Sequence, residues 1–161
     1  MSGPLFTDVL HVAVVVADLD AAMKRYNDGY GIGPWSIYEF GPDTVENLTR
    51  NDEPASFAMR VALAPLGSSF LELIQPLDGR SDYADFLSAR GEGVHHVAFK
   101  PADFEEGVAD LRAKGHRMIQ GGVYKGGRFA YFGTERELGF VTELLDLPPD
   151  PQPPDSVYPK A

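Results

Sequence analysis

Cysteine is absent from the 161 residues. That excludes disulfide bridges and thiolate metal sites together, and it fits a reducing cytoplasm. Basic residues are scarce: 14 Lys and Arg stand against 24 Asp and Glu, for a net charge of −10. A chain so acidic is a poor match for nucleic acid, whose phosphates need clustered Lys and Arg, or for an anionic membrane surface. Long apolar runs are also missing. The stretch Val9 to Ala17 is interrupted by His11, follows Asp8 and has no basic segment before it. It reads as a strand, not a signal peptide, and is far too short to span a bilayer. A soluble cytoplasmic protein is the expectation. What is present is a hydrophobic fraction of 43%, enough for one ordinary domain or two small halves sharing a core.

The chain repeats itself. His11-Val-Ala-Val-Val-Val-Ala-Asp18 aligns with His96-Val-Ala-Phe-Lys-Pro-Ala-Asp103, and Phe70-Leu-Glu72-Leu-Ile aligns with Val141-Thr-Glu143-Leu-Leu. Each half reads as strand, helix and three strands, with Asp18 and Asp103 at the helix N-caps. The spacing predicts strands over 9–16, 35–40, 57–63, 69–75, 94–99, 117–124, 128–132 and 139–145. Helices are expected over 19–26, over a stretch after Asp103, and in a short piece at 83–87. Residues 41–54 read as a polar loop. Two copies suggest a duplicated unit, not a solenoid: residues 1–76, a connector at 77–92, residues 93–146, and an extended Pro-rich tail at 147–161.

Two glutamates sit where a strand should not carry them. Glu72 shares a face with Phe70 and Ile74, and Glu143 lies among hydrophobes on a second short strand. A carboxylate in such company must be paired, protonated or bound to a cation. The repeat also selects His96 over His95, because only His96 has the phase of His11, and neighbouring strand residues face opposite ways. Taken singly, each of the four fits a structural role. As two repeat-related pairs, His11, Glu72, His96 and Glu143 form a nitrogen and oxygen donor set suited to a divalent first-row metal. No local ligand motif such as His-Glu-x-x-His is present.

The motifs Leu10-His11-Val12-Ala13, Phe70-Leu71-Glu72-Leu73, Gly93-Val94-His95-His96-Val97-Ala98-Phe99 and Thr142-Glu143-Leu144-Leu145 resemble the vicinal oxygen chelate superfamily. That superfamily includes glyoxalase I, methylmalonyl-CoA epimerase, extradiol dioxygenases and bleomycin resistance proteins. The resemblance covers residues 8–146 and is nearest to the glyoxalase and epimerase branch. It implies an α+β fold of two paired βαβββ modules whose curved mixed sheet encloses a metal-binding concavity. It further implies that His11, Glu72, His96 and Glu143 are the ligands, that the metal is Zn, Ni, Co, Mn or Fe, and that the protein is a homodimer. By the same resemblance, Glu143 doubles as an acid and base.

Counting back from Ala64-Pro65, the strand position where the epimerase carries a second catalytic acid holds Arg60. Arg60, Ala62 and Ala64 are expected to face the concavity, with Met59, Val61 and Leu63 on the apolar side. Arg60 there would grip a substrate carboxylate or phosphate. The alternative is an ion pair with a surface acid. Trp35 and Tyr38 follow a glycine-rich turn and are candidates to hold an apolar substrate, although strand alternation keeps both from facing the site in a regular strand. Residues 121–128 read as a hairpin turn or a lid.

The chemistry expected is enolate stabilisation of a small carbonyl substrate by a Lewis-acidic metal, with Glu143, and secondarily Glu72, moving the proton. An isomerase, epimerase or lyase would result. An Fe(II) extradiol-type dioxygenase ranks second and a metal-free drug-binding protein third.

Overall fold

The computed structural model describes residues 3–161 and holds one mixed sheet. Its first module runs β1 (Phe6–Val15), α1 (Leu19–Tyr30), β2 (Trp35–Phe40), then the small strands β3 (Glu46–Arg50) and β4 (Glu53–Pro54), then β5 (Met59–Leu66) and β6 (Ser69–Pro76). Helix α2 (Asp82–Arg90) leads to the second module: β7 (Gly93–Pro101), α3 (Phe104–Ala113), β8 (Met118–Tyr124), β9 (Gly127–Phe132), the short α4 (Glu135–Leu138) and β10 (Val141–Asp146). A last strand, β11 (Ser156–Tyr158), closes the chain.

The strand order is β11-β2-β5-β6-β1-β7-β10-β9-β8-β3-β4. Each module contributes its four main strands in the same order, read outward from the centre. Parallel pairs β1–β6 and β7–β10 flank an antiparallel β1–β7 seam. The modules therefore pair within one chain, edge to edge.

The local signals behave as the residues dictate. Asp18 caps α1 by accepting the Ala21 N–H at 3.0 Å, and Asp103 repeats the bond in α3 with the Glu106 N–H at 2.9 Å. Each satisfies a helix-end donor that would otherwise lack a partner. Helix α1 runs four residues beyond the expected Tyr26, to a left-handed Gly31 at φ 66°, a conformation glycine adopts without strain. Leu19, Ala22 and Met23 of α1 pack on Trp35, Ala62, Ala64 and Leu73 behind the sheet. Leu111 of α3 packs on Ala130, Phe132 and Leu144 in the matching place. The other face carries a third cluster, including Val15, Phe57, Ile74, Tyr83, Ile119 and Val141.

Two segments depart from the expected pattern. Residues 41–54 are not simply a loop: β3 leaves the first module and pairs antiparallel with β8 at the far edge of the second. That crossing brings the two outer edges together, so the sheet curls over its concave face. The tail is extended as expected, but it is also anchored. It leaves β10 and crosses to β2, where β11 pairs antiparallel at Ser156–Tyr158. Asp155 reinforces the anchor by accepting the Glu39 N–H at 2.7 Å. Among the described residues no helix is long and apolar enough to cross a membrane.

The start of this tail lies hard against the β8–β9 hairpin. A Cβ on Gly127 would stand 2.6 Å from Pro148 N and 2.7 Å from Asp146 O. Those are backbone atoms, which cannot swing aside. Gly127→Ala is expected to destabilise the protein by about 1–3 kcal/mol in denaturant unfolding. Gly79→Ala, where nothing lies within 4 Å, should stay within about 0.5 kcal/mol.

Candidate metal centre

Four central strands bring the four residues together, and the register explains how. In one row across the sheet Glu72 pairs with Ala13, and Ala13 pairs with His96. In the next row His11 pairs with Ala98, and Ala98 pairs with Glu143. Directly paired residues point to the same face, so each row delivers one imidazole and one carboxylate with an alanine between them. Ala13 and Ala98 are completely buried. A larger side chain at either position would occupy the space where the four groups meet.

The contacts are close. His11 Nε2 lies 2.9 Å from Glu72 Oε2 and 3.0 Å from Glu143 Oε2. His96 Nε2 lies 3.4 Å and 3.0 Å from the same two oxygens. The two Nε2 atoms are 3.2 Å apart. All four residues are buried. Although near both imidazoles, Glu72 Oε2 and Glu143 Oε2 form no hydrogen bond of acceptable geometry; the N–H directions miss them. Two carboxylate oxygens that crowd one point with no well-aligned donor suit a cation at that point. Edges near 3 Å also separate neighbouring donors around an ion with bonds of about 2.0–2.2 Å. Two carboxylates and two neutral imidazoles carry a charge of −2, which a divalent ion cancels. The residues present therefore fit the implied metal.

A second set of bonds supports this arrangement. His95 turns away from the centre, as its phase requires, and its Nε2 meets Asp82 Oδ2 at 2.7 Å. Its Nδ1 meets His96 Nδ1 at 2.9 Å. With both imidazoles neutral, one proton arrangement satisfies the chain: His95 Nε2–H donates to Asp82, and His96 Nδ1–H donates to His95 Nδ1. His96 Nε2 is then a bare lone pair aimed at the cluster. Nearby, Tyr83 and Tyr131 share a hydrogen bond at 2.8 Å. Burial and then Glu143 push both phenols well above their usual range, so both remain hydroxyls.

Without an ion the cluster keeps a proton. Burial opposes charge on His11, but Glu72 and Glu143 outweigh it and raise the pKa from 6.5 to about 10. Burial also opposes charge on Glu72, yet His11 and His96 lower it to about 2. Glu143 falls and His96 rises through the same mutual attraction, against burial in each case.

A cavity of about 690 Å³ opens onto His11, Glu72 and Glu143. Tyr38 lines it, with its hydroxyl donating to Gln152 O at 3.3 Å. Trp35 does not: it is completely buried behind the sheet, edge-on to Tyr26. Arg60 requires a correction. Leu63 pairs with Glu72 and Val61 with Ile74, whereas Arg60 pairs with Gln75. Met59, Val61 and Leu63 therefore face the cavity, and Ala62 and Ala64 pack under α1. Arg60 points to the helix side, 3.3 Å from Asp20 and 3.7 Å from Glu39. The expected faces of β5 are reversed. Sequence spacing gave no sign of Asp82, Tyr83 or Tyr131, which reach the site only through tertiary packing. Residues 124–127 form the hairpin turn, with Lys125 and Gly126 both at positive φ.

The Glyoxalase/Bleomycin resistance protein/Dioxygenase superfamily matches over residues 10–132. Ethylmalonyl-CoA/methylmalonyl-CoA epimerase of Cereibacter sphaeroides is 30% identical over 116 residues, covering 71% of this chain and 76% of that protein. The crystal structure of methylmalonyl-CoA epimerase from Mycobacterium tuberculosis is similar at TM-score 0.65 and 27% identity, covering 94% of this chain and 93% of that one. A variant of the Streptomyces coelicolor epimerase in complex with 2-nitronate-propionyl-CoA is similar at TM-score 0.61 and 29% identity, covering 87% and 94%.

Two outcomes test the centre. An ion entering it must displace the His11 proton, so apparent metal affinity should rise with pH up to about 10 and binding should release protons. Calorimetry in two buffers of different ionisation enthalpy measures that release; pH-independent binding without release would contradict the arrangement. Asp82→Ala removes the acceptor that orients His95 and should weaken metal binding by about 10–100-fold, read by titration against a chelating dye.

Proposed function

This chain belongs to the Glyoxalase/Bleomycin resistance protein/Dioxygenase superfamily, and we propose that it is a divalent-metal-dependent isomerase, epimerase or lyase acting on a small carbonyl substrate. The observation that carries this reading is the placement of two carboxylates on opposite flanks of the imidazole pair. Glu72 stands on β6 beside β1, and Glu143 on β10 beside β7.

In this reading His11, Glu72, His96 and Glu143 hold the ion. When bound, it supplies Lewis acidity that makes a C–H beside a carbonyl easier to ionise. The protein's own groups do the rest. Glu143 takes the proton from one side of the substrate carbon. Glu72, related to it by the pseudo-twofold of the modules, takes up a proton from solvent and delivers it on the other side or at a neighbouring carbon, and Glu143 then gives its proton back to solvent, which restores both carboxylates. Epimerisation then needs no acid from β5, which offers the cavity only Met59, Val61 and Leu63. Loss of a leaving group from the same enolate would give a lyase. The largely apolar walls keep water from quenching the carbanion and strengthen the electrostatics of the site. Tyr131 and Tyr83 stand close enough to feel the charge of Glu143 and stay neutral hydroxyls beside the base.

The presence of Glu72 among the donors favours this chemistry over the extradiol reading, which needs two histidines, one glutamate and more open positions. The names of the similar proteins support the epimerase branch of the proposal.

The decisive experiment follows proton exchange. Metal-loaded protein in D₂O is incubated with 2-oxo acids, hemithioacetals and acyl thioesters, and deuterium entry beside the carbonyl is read by NMR. Glu143→Gln should slow the reactive compound's exchange by about 10²–10⁴-fold while retaining the ion. Full exchange in that variant would reject Glu143 as the base.

A further inference from the structure

We propose that the cavity selects a compact carbonyl compound with an apolar, ring-sized body, and that it is not built for a coenzyme A thioester. The inference rests on the proposed function for which end of the substrate meets Glu72 and Glu143. It adds what the rest of the substrate must be.

The walls supply the first argument. Away from the cluster the 690 Å³ cavity is lined by Phe40, Met59, Val61, Leu63, Phe129 and Leu145. An apolar group entering it gains roughly 25 cal/mol for each Å² removed from water. A polar or charged tail gains nothing there and loses its hydration.

The mouth supplies the second. The tail from Leu147 to Gln152 lies along the cavity, held by the Tyr38 bond to Gln152 O and by β11 on β2. Pro148, Pro149 and Pro151 interrupt it, and proline has no N–H to offer a phosphate. Asp146 and Asp150 add negative charge along the same rim. Arg128 is the one arginine among the lining residues, which include no lysine, and it is already engaged. Its guanidinium meets Glu105 at 2.5 Å and Asp146 at 2.9 Å, and it lies 4.2 Å from the centre of the Phe104 ring. A phosphorylated carrier leaving the cavity would meet acids and prolines where it needs free cations and N–H donors. The selection is therefore built from both ends: apolar surface that rewards a ring, and a rim that repels phosphate.

The test uses binding, with zinc-loaded protein whose ion content is measured in the same sample. The probes are benzoylacetone, acetylacetone and methylmalonyl-CoA, followed by calorimetry and by the ultraviolet band of the diketone enolate. The phenyl compound should bind at least about tenfold more tightly than its methyl counterpart, and methylmalonyl-CoA at about 1 mM should not displace it. Val61→Trp, which narrows the cavity at one wall, should weaken the phenyl preference without changing ion content. Equal binding of the two diketones, or displacement by methylmalonyl-CoA, would overturn the substrate proposal alone. If neither diketone binds while the ion is retained, carbonyl recognition at the centre falls, and the proposed function falls with it.

Discussion

Two buried carboxylates facing each other across two imidazoles are the constraint on which the rest of the structure depends. Left with no counter-charge, such a pair would be intolerable inside a sheet. The metal-free cluster meets the constraint by protonating His11, whose pKa rises to about 10. A divalent cation meets it better, because it cancels both charges and uses lone pairs that otherwise have no well-aligned partner. The fold serves this end. An antiparallel seam joins two like modules edge to edge, and the parallel pairs beside it set each glutamate one alanine away from the other module's histidine.

Rigidity follows from the same arrangement. All four groups stand on central strands, each paired on both sides. The Asp82–His95–His96 chain fixes one ring from behind. The cavity walls are divided between the modules: β2, β5 and β6 supply one side and β9, β10 and the tail the other. Substrate would thus be gripped between two halves that the central seam and the crossing tail hold in a fixed relation.

Much of this was legible in the sequence because duplication preserves phase. His11 and His96, and Glu72 and Glu143, could be paired by their matching neighbours, and pairing fixed which faces they shared. The same reasoning set His95 apart from His96. It failed at Arg60, since β5 has no counterpart motif to anchor its parity and carries apolar or small residues on both faces. Only the pairing of Leu63 with Glu72 decides which face is inside. Trp35 and Tyr38 were separable by alternation, but not assignable to a side. The excursion of β3 to the far edge and the anchoring of the tail were invisible for a related reason. Polar and proline-rich segments carry no periodic signal, and their positions are set by partners distant in the chain.

We propose that one divalent ion is held jointly by His11, Glu72, His96 and Glu143. X-ray absorption at the metal edge, on protein purified without chelator and quantified for metal, tests it most directly. One ion per chain is expected, in an all nitrogen and oxygen shell bearing the scattering signature of two imidazoles. A chain that takes up no divalent ion, or whose ion shows no imidazole scattering, would contradict it.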